Sequence, residues 1–299
     1  MARRQRVEAF VARAGFGLLA ALPPAPAARL AGGIARAIGP LLPVSAIART
    51  NLHLAMPEED RSARRRIVRG AWWNLGCTVG EMAHLAEFRL NGTVPAFTVA
   101  GSDILRTLVA KGGPAIFFSG HLGNWELMAP CAAAFGLHLA LLYRAAGNPA
   151  IDAMIAKFRR LSMGGELTLL PKGARGALAH LAAGGSLAIL ADQKMNNGIE
   201  VPLFGCPAMT APALARLTLR FRCPVIPTHT ERLGPAHLRV IVEPPLELPE
   251  SGNRGADIAA LTRAVNACLE RWIRAQPEGW LWLHRHFASE VYRRRRHGV

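Results

Sequence analysis

The stretch from Ala115 to Leu127 constrains the fold of this chain more than any other: Ala-Ile-Phe-Phe-Ser-Gly-His-Leu-Gly-Asn-Trp-Glu-Leu. Four consecutive apolar residues, Ala115 to Phe118, read as a buried strand, and Ser119 and Gly120 break it. A polar cluster then opens a helix, so the chemistry falls where strand becomes helix. Glycines at 120 and 123 let the backbone turn sharply. An imidazole at His121 and a carboxylate at Glu126 can then face each other across the junction. That pair suits a general base with its orienting carboxylate: a neutral imidazole takes a proton from a hydroxyl, and a carboxylate on its other nitrogen fixes the tautomer. The backbone amides of Gly123 and Asn124, at the helix N-terminus, are placed to face an oxyanion. By itself His-x-x-x-x-Glu is a short pattern. A loop histidine followed by a first-turn carboxylate favoured by the helix dipole has the same spacing without any function.

The 299 residues carry a formal net charge of +16, which points to an anionic partner: nucleic acid, an anionic membrane surface or an acidic protein. Hydrophobic residues make up 51% and aromatics 6%, a balance that suits a lipid-facing protein and argues against nucleic acid. Cys77, Cys131, Cys206, Cys223 and Cys268 form no C-x-x-C and are odd in number. They indicate a reducing compartment and buried thiols, with neither a disulfide framework nor a metal site.

Arg3, Arg4 and Arg6 precede an apolar run from Val7 to Leu22 with one helical face of Val7, Phe10, Val11, Ala14, Leu18 and Leu22. Arg13 interrupts the run, which is shorter than the roughly 20 apolar residues of a comfortable span. Pro23, Pro24 and Pro26 end it, and Ala27 to Val44 follows with Arg29 and Arg36. Two such segments predict a helical arm, residues 1–48, lying in a membrane interface with arginines reaching headgroups. A basic start, an apolar run and Ala25-Pro26-Ala27 also imitate a signal peptide, which Arg13 argues against.

Residues 49–299 read as one α/β domain. Glu58 to Arg69 predicts a charged helix and Ala71 to Phe88 another, with His84 a packed structural histidine. Beyond the His121 segment, Asn124 to Phe135 reads as a helix stopped by Gly136, and His138 to Tyr143 as a strand. Glu166–Leu170, Lys172–Ala183 and Ser186–Ala191 continue the strand, helix, strand alternation. Pro224–Thr230 and His237–Glu243 are two more strands, and Arg254–Ala275 a covering helix. The fold class is therefore α/β: a central, mostly parallel mixed sheet flanked by helices, with the N-terminal arm added. Arg144, at a strand end, would share the cleft of His121 if their strands are neighbours, and its fork suits a phosphate or sugar acid. Arg159 and Arg160 are further candidates, with a salt bridge to Asp152 or Glu166 as the plain alternative. Asp192 and Gln193 close a strand, where they can simply cap turns. Trp272, Trp280 and Trp282 beside arginines suit a bilayer interface, and Arg293 to Arg296 suit either anionic headgroups or a plain solvated tail.

His-Leu-Gly-Asn-Trp-Glu-Leu at 121–127 resembles the first signature block of the bacterial lipid A biosynthesis acyltransferases, the lauroyl and myristoyl transferases, which carry a His-x-x-x-x-Asp/Glu site. Tyr143-Arg144 with Asn148-Pro-Ala-Ile-Asp152 resembles the second block, although Ala145 stands where proline is common. Asp192-Gln193, then Gly198 and Val201-Pro-Leu-Phe-Gly205 with Pro207-Ala-Met-Thr210, resembles the third. The final Trp-rich segment is similar too, with His286 in place of a second arginine.

The resemblance implies an inner-membrane enzyme facing the cytoplasm that moves an acyl chain from acyl carrier protein to a hydroxyl of a lipid A precursor. His121 would be the base and Glu126 its holder, with no metal and no bound cofactor. Gly123, Asn124, Tyr143, Arg144, Asn148, Asp152, Arg159, Asp192 and Gln193 would meet substrate. Phe204, Gly205, Pro207, Ala208 and Thr210 would wall the acyl chain or thioester and cap the helix that begins near Thr210. A lysophospholipid or amino-acid lipid is the alternative acceptor. A basic membrane or nucleic-acid binding protein without catalysis is a different class of reading.

Overall fold

The computed structural model describes residues 3–143, 145–163, 168–170 and 174–296. Four helices open the chain: α1 (Arg3–Ala20), α2 (Pro24–Ile38), α3 (Ser45–Ala55) and α4 (Arg61–Met82). Proline at the first turn of α2 costs it nothing, because that amide has no helical acceptor. The two segments expected on either side of residue 70 are one continuous helix, α4. Asp60 starts it by accepting the Ala63 amide at 2.6 Å. Charged exposed positions near its start give way to buried ones, which imitates two helices in the sequence. Gly76 and Gly80 let α4 close onto α2: a Cβ on Gly76 would collide with the Ala31 carbonyl, and one on Gly80 with that of Ala27.

The remaining elements run β1 (Arg89–Leu90), β2 (Ala96–Ala100), α5 (Ser102–Lys111), β3 (Ile116–Ser119), α6 (Met128–Ala134), β4 (Leu139–Leu142), α7 (Pro149–Ser162), β5 (Thr168–Leu170), α8 (Ala174–Ala182) and β6 (Ser186–Leu190). They continue with β7 (Lys194–Leu203), β8 (Cys206–Thr210), α9 (Ala213–Phe221), β9 (Val225–Gly234), β10 (His237–Val242), α10 (Arg254–Ala275) and α11 (Ser289–Arg296). Eight strands form one sheet in the order β1-β2-β10-β9-β3-β6-β4-β5, in which β9 with β10 is the antiparallel pair. The neighbours of β3 are β9 and β6, both parallel to it. The α/β class expected from the alternation is the observed one.

β3 is buried on both faces, as its unbroken apolar run requires. Ile116 and Phe118 join a core with Leu187, Val225, Leu269 and Trp272, while Phe117 joins a second one with Leu127, Ala188 and Ile226. The first core also takes in Trp280 and Trp282, both fully buried. This corrects the interfacial reading of the tryptophans. The segment after α10 turns back into the body of the domain, so those rings meet protein.

The residues from Lys194 to Thr210 form a separate antiparallel hairpin, β7 with β8. Among the described residues no single helix is long and apolar enough to cross a membrane. A bent pair, Pro24–Leu41 with Ser45–Ala55 at 82°, has the combined length and composition.

Candidate active site

Parallel pairing of β3 with β6 builds the centre of the site. Their register runs from Ile116 opposite Leu187 to Ser119 opposite Leu190, and the Ala191 amide extends the ladder to the Ser119 carbonyl at 2.8 Å. Two residues beyond that last pair stand His121 on one strand end and Asp192 on the other. Strand ends of this kind are where open α/β sheets place their ligands. His121 Nδ1 donates to Asp192 Oδ1 at 2.8 Å, and the His121 amide donates to Oδ2 at 2.8 Å. Trp280 Nε1 also donates to Oδ2, at 2.8 Å. From below, His286 Nδ1 donates to the Asp192 carbonyl at 2.9 Å while its ring stacks on Trp280 at 4.0 Å.

This arrangement fixes the tautomer. With its proton on Nδ1, His121 keeps the Nε2 lone pair for a proton acceptor's work. Burial works against an imidazolium at His121, but the charge and hydrogen bond of Asp192 outweigh it and leave the pKa raised. Burial likewise disfavours the Asp192 carboxylate, and His121 overcomes it, so the group stays ionised well below the usual carboxylate range. At His286 burial outweighs the opposing charge of Asp192 and brings the group down to about 4, so it stays neutral.

Asp192, expected to meet substrate, is thus the carboxylate on His121 Nδ1, and Glu126 is held elsewhere. This corrects the expected geometry of the pair. Glu126 sits in a tight 3₁₀ turn, Trp125–Leu127, whose start Asn124 caps by accepting the Glu126 amide at 3.1 Å. The turn points the carboxylate at α7. There Arg159 Nε and Nη2 donate to its two oxygens at 2.7 Å each, a bidentate fork, and Trp125 Nε1 donates to Oε1 at 3.0 Å. The Arg159 guanidinium also lies over the Tyr143 ring at 4.9 Å. Arg159 is therefore committed to a salt bridge, with Glu126 as its partner. Glu126 stays close enough for its charge to favour the His121 imidazolium, and Trp125 packs on the His121 ring at 4.8 Å.

The other expected residues divide between structure and surroundings. Gly123 has φ +54, and a Cβ there would collide with the Thr230 carbonyl. Its amide donates to the Gly279 carbonyl at 3.0 Å, which removes it as an oxyanion donor. Asn124 is fully buried, with its Nδ2 on Glu81 at 2.9 Å. Asn148 caps α7 and ties it to α1 through the Gln5 carbonyl at 2.8 Å. Asp152 accepts the Ala146 amide at 2.9 Å and the Tyr143 hydroxyl at 3.4 Å.

Phe204 packs against Trp280 and Trp282 inside the core, and its amide donates to Glu270 at 2.7 Å, so Phe204 and Gly205 form the turn of the hairpin. Thr210 caps nothing. The α9 helix begins three residues after it, at Ala213 behind Pro212, and the Thr210 hydroxyl accepts from Asn266 at 3.1 Å. Gln193 is half-buried beside Asp192. Arg144 and Glu166 lie outside the described residues; β6 stands between β3 and β4, so those two strands are not neighbours. Among the described residues no cluster of histidine, cysteine, aspartate or glutamate is arranged to hold a metal ion.

Sequence reasoning missed the support behind the loop. Glu81 of α4 is fully buried and pairs with Arg232 of β9, which also donates to Asn74 at 2.8 Å and Thr78 at 3.1 Å. Asn74 in turn donates to the carbonyls of Gly123 at 2.9 Å and Gly279 at 3.0 Å. This network clamps the loop after His121 to the segment carrying Trp280. The sequence signal for it was a lone carboxylate in an apolar helical stretch, which calls for a buried cation somewhere else in the chain.

A family model described as bacterial lipid A biosynthesis acyltransferase matches residues 3–289. No curated protein matches the chain. The match spans every element that builds the His121–Asp192 centre, and the chain belongs to the bacterial lipid A biosynthesis acyltransferase family.

Proposed function

We propose that this chain moves a fatty acyl group directly from an acyl-carrier-protein thioester to a hydroxyl of a lipid A precursor. The step would be a late acylation of the lauroyl or myristoyl type, on the cytoplasmic face of the inner membrane. The observation that carries the mechanism is the bond from His121 Nδ1 to the ionised, buried Asp192, which leaves Nε2 as the base. In this reading Nε2 takes the proton of the acceptor hydroxyl as its oxygen attacks the thioester carbon. The carbonyl electron pair moves to oxygen and returns as the C–S bond breaks. The leaving thiolate then takes the proton back from His121. The products are an ester and a thiol, with no covalent intermediate on the enzyme. Glu126 acts at one remove, as a positioning residue locked by Arg159 behind Trp125.

The acidic carrier protein complements the charge of +16. For the membrane, α2 offers an exposed stripe of Leu30, Ile34 and Ile38 running on to Leu41, with Arg29 and Arg36 also exposed. On α1, Val7, Phe10, Val11 and Leu18 are exposed beside Arg3, Arg4, Arg6 and Arg13. Apolar stripes among arginines suit helices that lie in an anionic interface.

The test is acyl transfer by membranes containing the protein. They would be offered acyl-carrier-protein or coenzyme A thioesters of several chain lengths with a tetra-acylated lipid A precursor or a lysophospholipid. Product on the lipid A precursor from the carrier-protein thioester is expected. Product only on the lysophospholipid would overturn the acceptor, and equal use of coenzyme A would overturn the donor.

A further inference from the structure

Asp192 gives its two oxygens different work. Oδ1 receives the imidazole N–H of His121, whereas Oδ2 receives two neutral donors, the His121 amide and the Trp280 indole, each at 2.8 Å. The torsion that swings a carboxylate is broad and roughly two-fold, so these donors decide which way the group faces. The Asp192 side chain is 1% exposed, and protein N–H groups stand where solvent would otherwise solvate the charge.

The Trp280 indole is itself fixed from two sides. In the backbone, Leu122 and Trp280 form an antiparallel bridge. Beside it the Gly123 amide donates to the Gly279 carbonyl at 3.0 Å and the Leu281 amide to the His121 carbonyl at 3.1 Å. In the side chain, the fully buried ring stacks on His286 at 4.0 Å and meets Trp282 edge-on at 4.6 Å. The segment after α10 is therefore registered on the His121 loop, and its indole returns to the carboxylate that holds the imidazole. The contacts close a ring that begins and ends at His121.

A donor to the charged form of an acid favours that form, so the indole helps Asp192 stay ionised while buried. The same bond draws negative charge towards Oδ2 and tempers the pull of Asp192 on an imidazolium. A base that must give its proton back to the leaving group is served by a tempered pull.

We propose that Trp280 is a positioning residue whose indole N–H fixes the Asp192 carboxylate and, through it, sets the orientation and proton affinity of His121. The inference rests on the reading of His121 as general base with Asp192 as its carboxylate. Trp280 touches no substrate and moves no proton.

The experiment compares kcat and the pH profile of kcat/KM for the full-length wild type, Trp280→Phe, Asp192→Asn and the double variant, with folding of each verified. Trp282→Phe is the control, since it removes a neighbouring buried indole that donates to the Pro277 carbonyl at 2.7 Å instead. Losing one hydrogen bond to a charged group corresponds to about a 10- to 100-fold fall in rate, which is expected of kcat in Trp280→Phe. Its rising limb should move up by about half a pH unit, because the imidazolium faces a less shared charge. Trp282→Phe should leave the limb in place. In the double variant the Trp280 change should add less than about threefold to the loss caused by Asp192→Asn, because it acts through that carboxylate. If Trp280→Phe folds poorly, the benzothiophene analogue of tryptophan at position 280, which keeps the ring shape without the N–H, carries the test and should move the limb in the same direction. An unmoved limb in the folded variant, or losses that multiply in the double variant, would overturn the proposal and leave Trp280 as a packing residue. Near wild-type activity of Asp192→Asn would remove the general-base pairing and this proposal with it.

Discussion

His121 and Asp192 lie 71 positions apart in the chain and two residues past the same rung of the sheet, the Ser119–Leu190 pair of two parallel strands. Their 2.8 Å bond is therefore a product of strand register. A slip of one residue would turn one side chain to the opposite face and break the pair.

Asp192→Asn keeps the shape and removes the charge that holds the Nδ1–H tautomer. By analogy with the tautomer loss in serine-protease triads, kcat should fall on the order of 10³- to 10⁴-fold. Steady-state kinetics on folded protein check this, and an asparagine variant with near wild-type kcat would exclude Asp192 from the mechanism.

The pH profile carries a sign. His121 must be neutral to act and its pKa is raised by Asp192, so the rising limb of kcat/KM is expected above pH 6.5. Asp192→Asn removes the first opponent of desolvation, and the limb should move down. Stability behaves oppositely at different histidines. The contribution of His121 is complete below the unfolded pKa and fades as pH rises through its raised folded value. His229 and His286, each held neutral by burial near about 4, make the fold lose stability as pH falls from 6.5 towards 4. Denaturant titrations across that range measure both.

Glu126 and Arg159 are both nearly buried. Removing either partner alone strands a charge, at a cost of about 3–5 kcal/mol. The double variant Glu126→Gln with Arg159→Met should cost less than the sum of the singles. Additive losses in a double-mutant cycle would show that the pair is not coupled.

Leu30 and Ile34 are exposed on α2, so Leu30→Glu with Ile34→Glu should leave the thermal midpoint within a few degrees. The same change should weaken binding to anionic vesicles severalfold. Unchanged vesicle binding would remove α2 from the membrane contact.

How far the sequence could be read depends on the range of the interaction. The buried run before Ser119, the glycine after Phe135 and the helix Arg254–Ala275 announce themselves through local pattern, and each stands close to where the pattern places it. His121 was legible because a polar cluster breaks an apolar strand. Its true partner was not, because Asp192 gains its meaning from strand order: β6 intervenes between β3 and β4, and no local spacing encodes that. Glu126 misled for the same reason. A helix would have set it facing back along the loop, but the 3₁₀ turn started by Asn124 aims it at Arg159. Trp280 and Trp282 look interfacial beside arginines, and only tertiary packing shows them buried against Phe204.

The most direct measurement is acyl transfer from an acyl-carrier-protein thioester to a tetra-acylated lipid A precursor by the wild-type chain, His121→Ala and Asp192→Asn, with folding of each verified. The account predicts product with the wild type, none above background with His121→Ala, and a rate reduced about a thousandfold or more with Asp192→Asn. Undiminished transfer by folded His121→Ala would contradict it.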